Sequence, residues 1–260
     1  MHLFGLTTTQ FEAMVLIFVR ITAMLFVFPV LSSPQVPRNV RFGLAALLTY
    51  VVYHAIPLPH LDLSPFTLVV GAMAQALIGV IIGFVSSLVF NGISFAGELI
   101  DLQVGFAIAN VINPSTQQNI TIIGELQLAL ATLIFIATDS HFYLIRGLAG
   151  SFDIVPIPFM SLDPSVAGNL ALFFAQSFMI VFEIAAPVVV ALFLTNVALA
   201  LMARVAPQMN VFVVGLPIQV AVGLTMMIIA LPLMGNVAPQ LFSNMAQQMD
   251  TIMRGLRASP

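Results

Sequence analysis

Cysteine and lysine are both missing from this 260-residue chain, and charge of either sign is scarce. Without cysteine there is no disulfide and no thiolate metal site. Without lysine, all seven positive charges are arginines, set against ten acids. The resulting net charge of −3 is small, and no basic patch points to a nucleic-acid partner. Only 7% of the residues are charged, where a soluble domain carries about a quarter. Hydrophobic residues make up 60%, and the mean hydropathy is +1.11. Too few polar side chains remain to cover a water-facing surface, so the composition implies an integral membrane protein. The first residues also lack the basic region, short apolar core and small-residue cleavage site of a signal peptide. With Glu12 just ahead of the first apolar run, Met1 is expected to stay in the mature chain.

Motifs for chemistry are missing too. No HExxH, Walker loop, GxSxG or nucleophile–base pair occurs. His2, His54, His60 and His141 have no second ligand at helical spacing, and His54 and His60 fall in a stretch read as a solvated loop. No catalytic residue, metal site or cofactor is expected, and the sequence does not read as an enzyme.

What is present is a series of apolar runs. The first, 13–31, contains Arg20, which is expected to snorkel or pair with an acid. It ends in SSPQVPRNVR, whose prolines and serines stop a helix. A second run covers 42–56, before the turn-rich HAIPLPHLDLSP. From Leu63 to Gly97 there are 35 residues without a charge. A short run, 126–138, is followed by DSHFYLIRG and a linker holding Pro156, Pro158 and Pro164. The last two runs are 165–203, interrupted by Glu183 and Pro187, and 205–249, with Pro207, Pro217, Pro232 and Pro239. None alternates as a barrel strand does, and only helices or closed barrels satisfy the backbone in a bilayer. The fold class is therefore all-α membrane.

The lengths do not suit a simple bundle. About 20 helical residues cross the ~30 Å hydrocarbon core. A helix over 63–97 would extend roughly 50 Å, and one over 126–138 only about 20 Å. Breaks at Gly71, Gly79, Gly83 and Gly92, or burial among other protein helices, would resolve the mismatch. Charge placement is also strained. If Arg38 and Arg41 face the cytoplasm, Arg204 and the pair Arg254 and Arg257 cannot both do so with one helix between them. These helices are not expected to sit as ordinary spans.

Several polar residues stand out against this background. Glu98 and Asp101 lie three apart on one helix face, as a proton or cation site or as acids at the edge of the long run. Their neighbours Gln103 and Asn110 favour a wet or protein-buried stretch. Glu183, four residues before Pro187, reads as a capping or inter-subunit contact. Fourteen methionines, with Met226, Met227 and Met234 in one run, read as helix packing or as a deformable seal. The stretch 105–125, GFAIANVINPSTQQNITIIGE, is uncharged until its last residue. A water-exposed loop would be expected to carry charge. Irregular polar backbone at membrane depth is tolerated only when buried in protein or lining an aqueous cavity. The segment is read either as a plain helix–loop–helix or as a loop lying in a conduit.

GELIDLQVGFAIANVINPSTQQN, TDSHFYLIRGLAGSFDIVPIP and the earlier PQVPRNVRFGLAALLTY together resemble the FliR family of type III export-gate subunits. The resemblance covers essentially the whole chain. It is most specific at Gln103–Gly105, Asn113–Pro114, Asp139–His141, Ser151, Phe152 and Pro156. A second match lies in FEIAAPVVVALFLTNVALALMARVAPQMN and VFVVGLPIQVAVGLTMMIIALPLM, which look like the two-helix hairpin of FliQ. Pro187 and Pro217 fall one in each arm, and Ala203–Asn210 makes the tip.

The resemblance implies a FliP-like portion, 1–165, and a FliQ-like hairpin with C-terminal tail, 166–260, in a helical assembly. It implies that 105–122 is a pore-plugging loop, with Gly105, Phe106, Ile108, Val111, Ile112, Asn113 and Pro114 carrying the seal. Glu98, Asp101, Gln103, His141, Glu183, Pro187 and Pro217 are the accompanying buried polar or structural positions. The implied partners are FliP and FliQ, then FlhB and FlhA, rod-proximal flagellar proteins, unfolded export substrates and membrane lipid. The implied place is the inner membrane at the flagellar basal body. A small-solute secondary transporter is the alternative, although no repeat relates the two halves and the acids do not converge. A passive anchor for the rod is a third reading.

Overall fold

The computed structural model describes residues 8–56, 63–106, 121–158, 160–161, 163–208 and 210–257. No strand occurs among the described residues, which form eight helices. They are α1 Thr8–Val27, α2 Pro29–Ser32, α3 Arg38–Ala55, α4 Pro65–Val104, α5 Ile122–Ala137, α6 His141–Ile154, α7 Ser165–Val205 and α8 Val211–Gly255. The fold is all-α. Four helices are long and apolar enough to cross a membrane, or five if α5 and α6, broken at 138–140, count as one span. At 40, 41 and 45 residues, α4, α7 and α8 each extend about twice the ~30 Å of a hydrocarbon core.

The chain divides into two compact units. The first comprises Met1–Leu88, Asp139–Phe174 and Phe242–Pro260. In α1 the buried residues Leu16, Ile17, Ile21, Met24, Leu25 and Phe28 recur at helical spacing, giving the helix one core face. Ile78, Ile82, Leu148, Phe152, Phe242, Met245 and Met249 complete that core. Each fully buried large side chain contributes about 1.5–3 kcal/mol.

Glycine lets α4 approach α1 within this unit. A Cβ on Gly79 would overlap the Arg20 carbonyl, and one on Gly83 would lie 2.7 Å from the Val27 Cβ. At neither glycine, nor at Gly71 or Gly92, does α4 break. Burial against neighbouring helices, the other resolution of the length mismatch, is what the glycines serve. Gly71 faces Pro158, and Gly92, in the second unit, faces the Ser177 carbonyl.

Arg20 departs from expectation. Its side chain is completely buried and meets no acid among the described residues. Nε donates to Gln75 Oε1 (2.7 Å), and the terminal nitrogens donate to Ser151 Oγ (3.0 Å) and the Val155 carbonyl (2.8 Å). The guanidinium carbon lies 4.0 Å from the centroid of the Phe152 ring. Gln75 in turn donates to the Pro158 carbonyl (3.0 Å). A planar fork with several donors can bond neutral acceptors in divergent directions, so no carboxylate is required. Arg20 thereby joins α1, α4, α6 and the segment after α6.

The turn 32–36 is organised by Arg41, which donates to the Ser32, Ser33 and Val36 carbonyls at 2.6–3.0 Å. α3 begins at Arg38, four residues ahead of the apolar run, because Pro37 supplies an extended N-cap. His54 is in the last turn of α3 rather than a loop, with Nδ1 2.8 Å from the Tyr50 carbonyl. His60 lies outside the described residues.

The second unit comprises Val89–Thr138 and Ala175–Leu241. Phe90, Ile93, Ala96, Ile100 and Val104 form the buried stripe of α4 here. Phe90 packs edge-on against Phe135 of α5, with centroids 5.3 Å apart. α7 and α8 form an antiparallel hairpin in this unit. Gly215 faces Leu199, Gln219 Nε2 donates to Asn196 Oδ1, and Gly223 faces Leu192. Each step of four along one arm thus matches a step of about four back along the other. The arms part at 206–210, inside the run read as 205–249.

Candidate functional site: the base of the uncharged loop

α4 ends where the uncharged segment begins. Gly105 has φ 91°, a left-handed conformation that glycine adopts without strain. The amides of Gly105 and Phe106 both donate to the Asp101 carbonyl at 3.1 Å. The second of these bonds is the six-to-one closure of a glycine-stopped helix.

The side chain of the same residue holds the other end of the loop. Asp101 is 3% exposed. Its carboxylate accepts from the Ile123 amide (3.0 and 3.1 Å) and the Gly124 amide (3.3 Å), the first turn of α5. A helix start has amides with no intrahelical acceptor, and a carboxylate there meets both that need and the helix dipole. One turn earlier, α4 and α5 touch backbone to backbone. A Cβ on Gly97 would lie 2.6 Å from the Gly124 Cα, and one on Gly124 would lie 3.1 Å from the Ser94 carbonyl. The two helices therefore cross at a pair of glycines, and Asp101 latches the crossing.

Among the expected residues, this site unites Asp101, Gly105 and Phe106. Ile108, Val111, Ile112, Asn113 and Pro114 lie within 107–120, outside the described residues. Glu98 is half-buried one turn before Asp101, whereas Gln103 is exposed. His141 opens α6 in the first unit. Pro187 and Pro217 lie inside α7 and α8. Glu183 is exposed and, with buried Gln127, lines a recess in the second unit. Gln127 and the amides of Ile123 and Gly124 were not anticipated. Asp101 caps a helix 22 residues away, and no local spacing signals such a partnership.

Among the described residues, the loop base brings together no nucleophile with a base and no cofactor cradle. What it provides is mechanical: two helix ends fixed by one carboxylate, with an uncharged segment strung between them. Residues 11–245 match the family model described as bacterial export proteins, family 1. The chain belongs to that family.

Relatives of this export family support the assignment along most of the chain. The flagellar biosynthetic protein FliR of Bacillus subtilis (strain 168) is 35% identical over 214 residues, 81% of this chain and 82% of its own. FliR of Pectobacterium carotovorum subsp. carotovorum is 35% identical over 248 residues, covering 93% of both chains. The Yop proteins translocation protein T of Yersinia pestis is 32% identical over 206 residues, 77% of this chain and 78% of its own. The sequence-level resemblance to the FliR family thus holds.

Proposed function

We propose that this export-family chain is a non-enzymatic core subunit of a type III protein export gate, serving flagellum assembly. In this reading it sits in the inner membrane at the basal body and assembles with FliP and FliQ. FlhB, FlhA and rod-proximal flagellar proteins are its further neighbours, and unfolded flagellar export substrates pass the gate. Residues 105–122 form the plug, with Gly105, Phe106, Ile108, Val111, Ile112, Asn113 and Pro114 closing the passage at rest.

The observation that carries the reading is the loop base. A segment without charge is anchored at both ends by one buried carboxylate and a glycine crossing. Such an anchor would hold both ends of a seal in place. Two further observations support assembly. The most apolar windows of α7 and α8 are only 28% and 17% buried within the chain, with Phe182, Phe193 and Leu194 among the exposed residues. Their length, about twice a bilayer core, gives partner helices a surface beyond the lipid. The division into a FliP-like portion, 1–165, and a FliQ-like remainder belongs to the same reading. It is supported by α7 starting at Ser165 and by the α7–α8 hairpin.

The test is secretion by cells lacking this chain and complemented with variants. The wild-type chain restores export, and a chain with 107–117 deleted assembles but exports in an unregulated or defective manner. Normal export by the deletion variant would contradict the reading.

A further inference from the structure

The net charge of the chain is not spread evenly. In the first unit Arg20, Arg38, Arg41, Arg146, Arg254 and Arg257 balance Glu12, Asp62, Asp139, Asp153, Asp163 and Asp250. The whole net of −3 therefore lies in the second unit, where Glu98, Asp101, Glu125 and Glu183 face Arg204 alone. Asp101 is satisfied by α5 amides, with Glu98 one turn behind it. Glu125 lies in the first turn of α5, where the helix dipole favours an acid. Glu183 has no such support. It sits mid-helix in α7, about six turns from Arg204, and no basic side chain pairs with it among the described residues.

Glu183 lines a recess together with Gln127, Ile184, Val188, Met227 and Met234. Gln127 is 5% exposed, and its Oε1 has no hydrogen-bond partner among the described residues. Pro187, four residues on, has no N–H to give the Glu183 carbonyl, so that acceptor also lacks its helical donor. The Gln127 Oε1, the Glu183 carboxylate and the Glu183 carbonyl thus place acceptors together within apolar walls, with no basic side chain beside them among the described residues. Buried acceptors are seldom left unpaired, and an acid in an apolar stretch calls for a counter-charge.

We propose that this recess is a socket for one basic side chain, arginine or lysine, carried on an apolar helix of a neighbouring subunit. The ammonium or guanidinium donates to Glu183 and Gln127 Oε1. Its aliphatic stem lies along Val188, Met227 and Met234, where methionine adapts to the partner's shape. The charge deficit of the unit selects a cationic partner, and the exposed apolar face of α7 around Glu183, with Met179 and Phe182, suits a helix. The socket rests on the assembly reading above and adds to it the chemistry of one contact.

The test co-expresses the tagged chain with the two small membrane subunits of the same apparatus and measures how much of each is recovered with it. Recovery with Glu183→Lys falls at least about tenfold, the scale on which breaking a desolvated charge pair acts. Glu183→Asp stays near wild type, and Gln127→Leu gives an intermediate loss. The chain carrying Glu183→Lys keeps its own melting temperature, which separates docking from folding. Revertants of Glu183→Lys that restore recovery replace a basic residue on a partner helix with an acidic or neutral one. Recovery of Glu183→Lys within about twofold of wild type, or revertants confined to this chain, would overturn the socket. So would loss of a bound aminolipid with subunit recovery unchanged. If the wild-type chain brings down neither subunit, it is the assembly reading that fails.

Discussion

The Asp101 carboxylate accepts a hydrogen bond from the Ile123 amide at 3.0 Å, joining two helix ends that the uncharged segment separates by 22 residues. Replacing the carboxylate removes a cap and leaves buried amides unpaired. Asp101→Ala is expected to cost about 1–3 kcal/mol, and Asp101→Asn less because one acceptor oxygen remains. Thermal unfolding of the purified chain in detergent checks the order. Equal stability of Asp101→Ala and wild type would mean that the latch has no energetic role.

The glycine crossing gives a steric prediction with an internal control. Gly97→Ala would set a methyl group 2.6 Å from the Gly124 Cα, against backbone that cannot rotate away. α4 and α5 must then separate, at about 1–3 kcal/mol. Gly150, inside α6, has open space where a Cβ would go. Gly150→Ala should be neutral or stabilising by up to about 1 kcal/mol through helix propensity. The two melting temperatures should move in opposite directions, or only the first should move.

Arg20 is held by neutral groups, which sets the sign of a double-mutant experiment. Gln75→Leu strands the Arg20 Nε–H in the core and is expected to cost about 1–3 kcal/mol or more, since the donor is charged. Adding Arg20→Met removes the stranded charge. The double variant should therefore be more stable than Gln75→Leu alone, and simple additivity of the losses would contradict the network.

Little of these contacts was legible in the sequence. Hydropathy marks α1 well, because Leu16, Ile17, Ile21 and Met24 recur on one face. It places the start of α3 too late, because the run begins at Phe42 while Pro37 already starts the helix. Gly97 reads only as the end of the 63–97 run, and nothing in the sequence pairs it with Gly124, although each is needed for the other's approach. Asp101 and Ile123, like Arg20 and Ser151, meet through tertiary structure, and separation along the chain hides such pairs. Arg20 reads as snorkelling or acid-paired because hydropathy cannot count neutral acceptors. The lack of charge between Asp101 and Glu125 is plain in the sequence, and residues 107–120 lie outside the described structure.

Acid should release one helix cap at the surface. Asp163 Oδ1 accepts from the Ser165 amide (2.7 Å) at the start of α7. The bonds with Ser165 hold its carboxyl below the usual carboxylate range. A carboxyl depressed in the folded state contributes stability above its unfolded pKa and loses it as pH falls through the folded one. The small advantage of wild type over Asp163→Asn should therefore be present near neutral pH and vanish in acid. Melting temperatures of both chains across that range test it, and an advantage that grows in acid would have the wrong sign.

The most direct measurement is the permeability of membranes holding the assembled export complex to small ions or dyes, with 107–117 deleted from this chain. A resting assembly with the segment intact should be tight, and the deleted one should leak while its subunits still co-purify. Unchanged permeability in an intact deleted assembly would contradict a sealing role for the segment that Asp101 anchors.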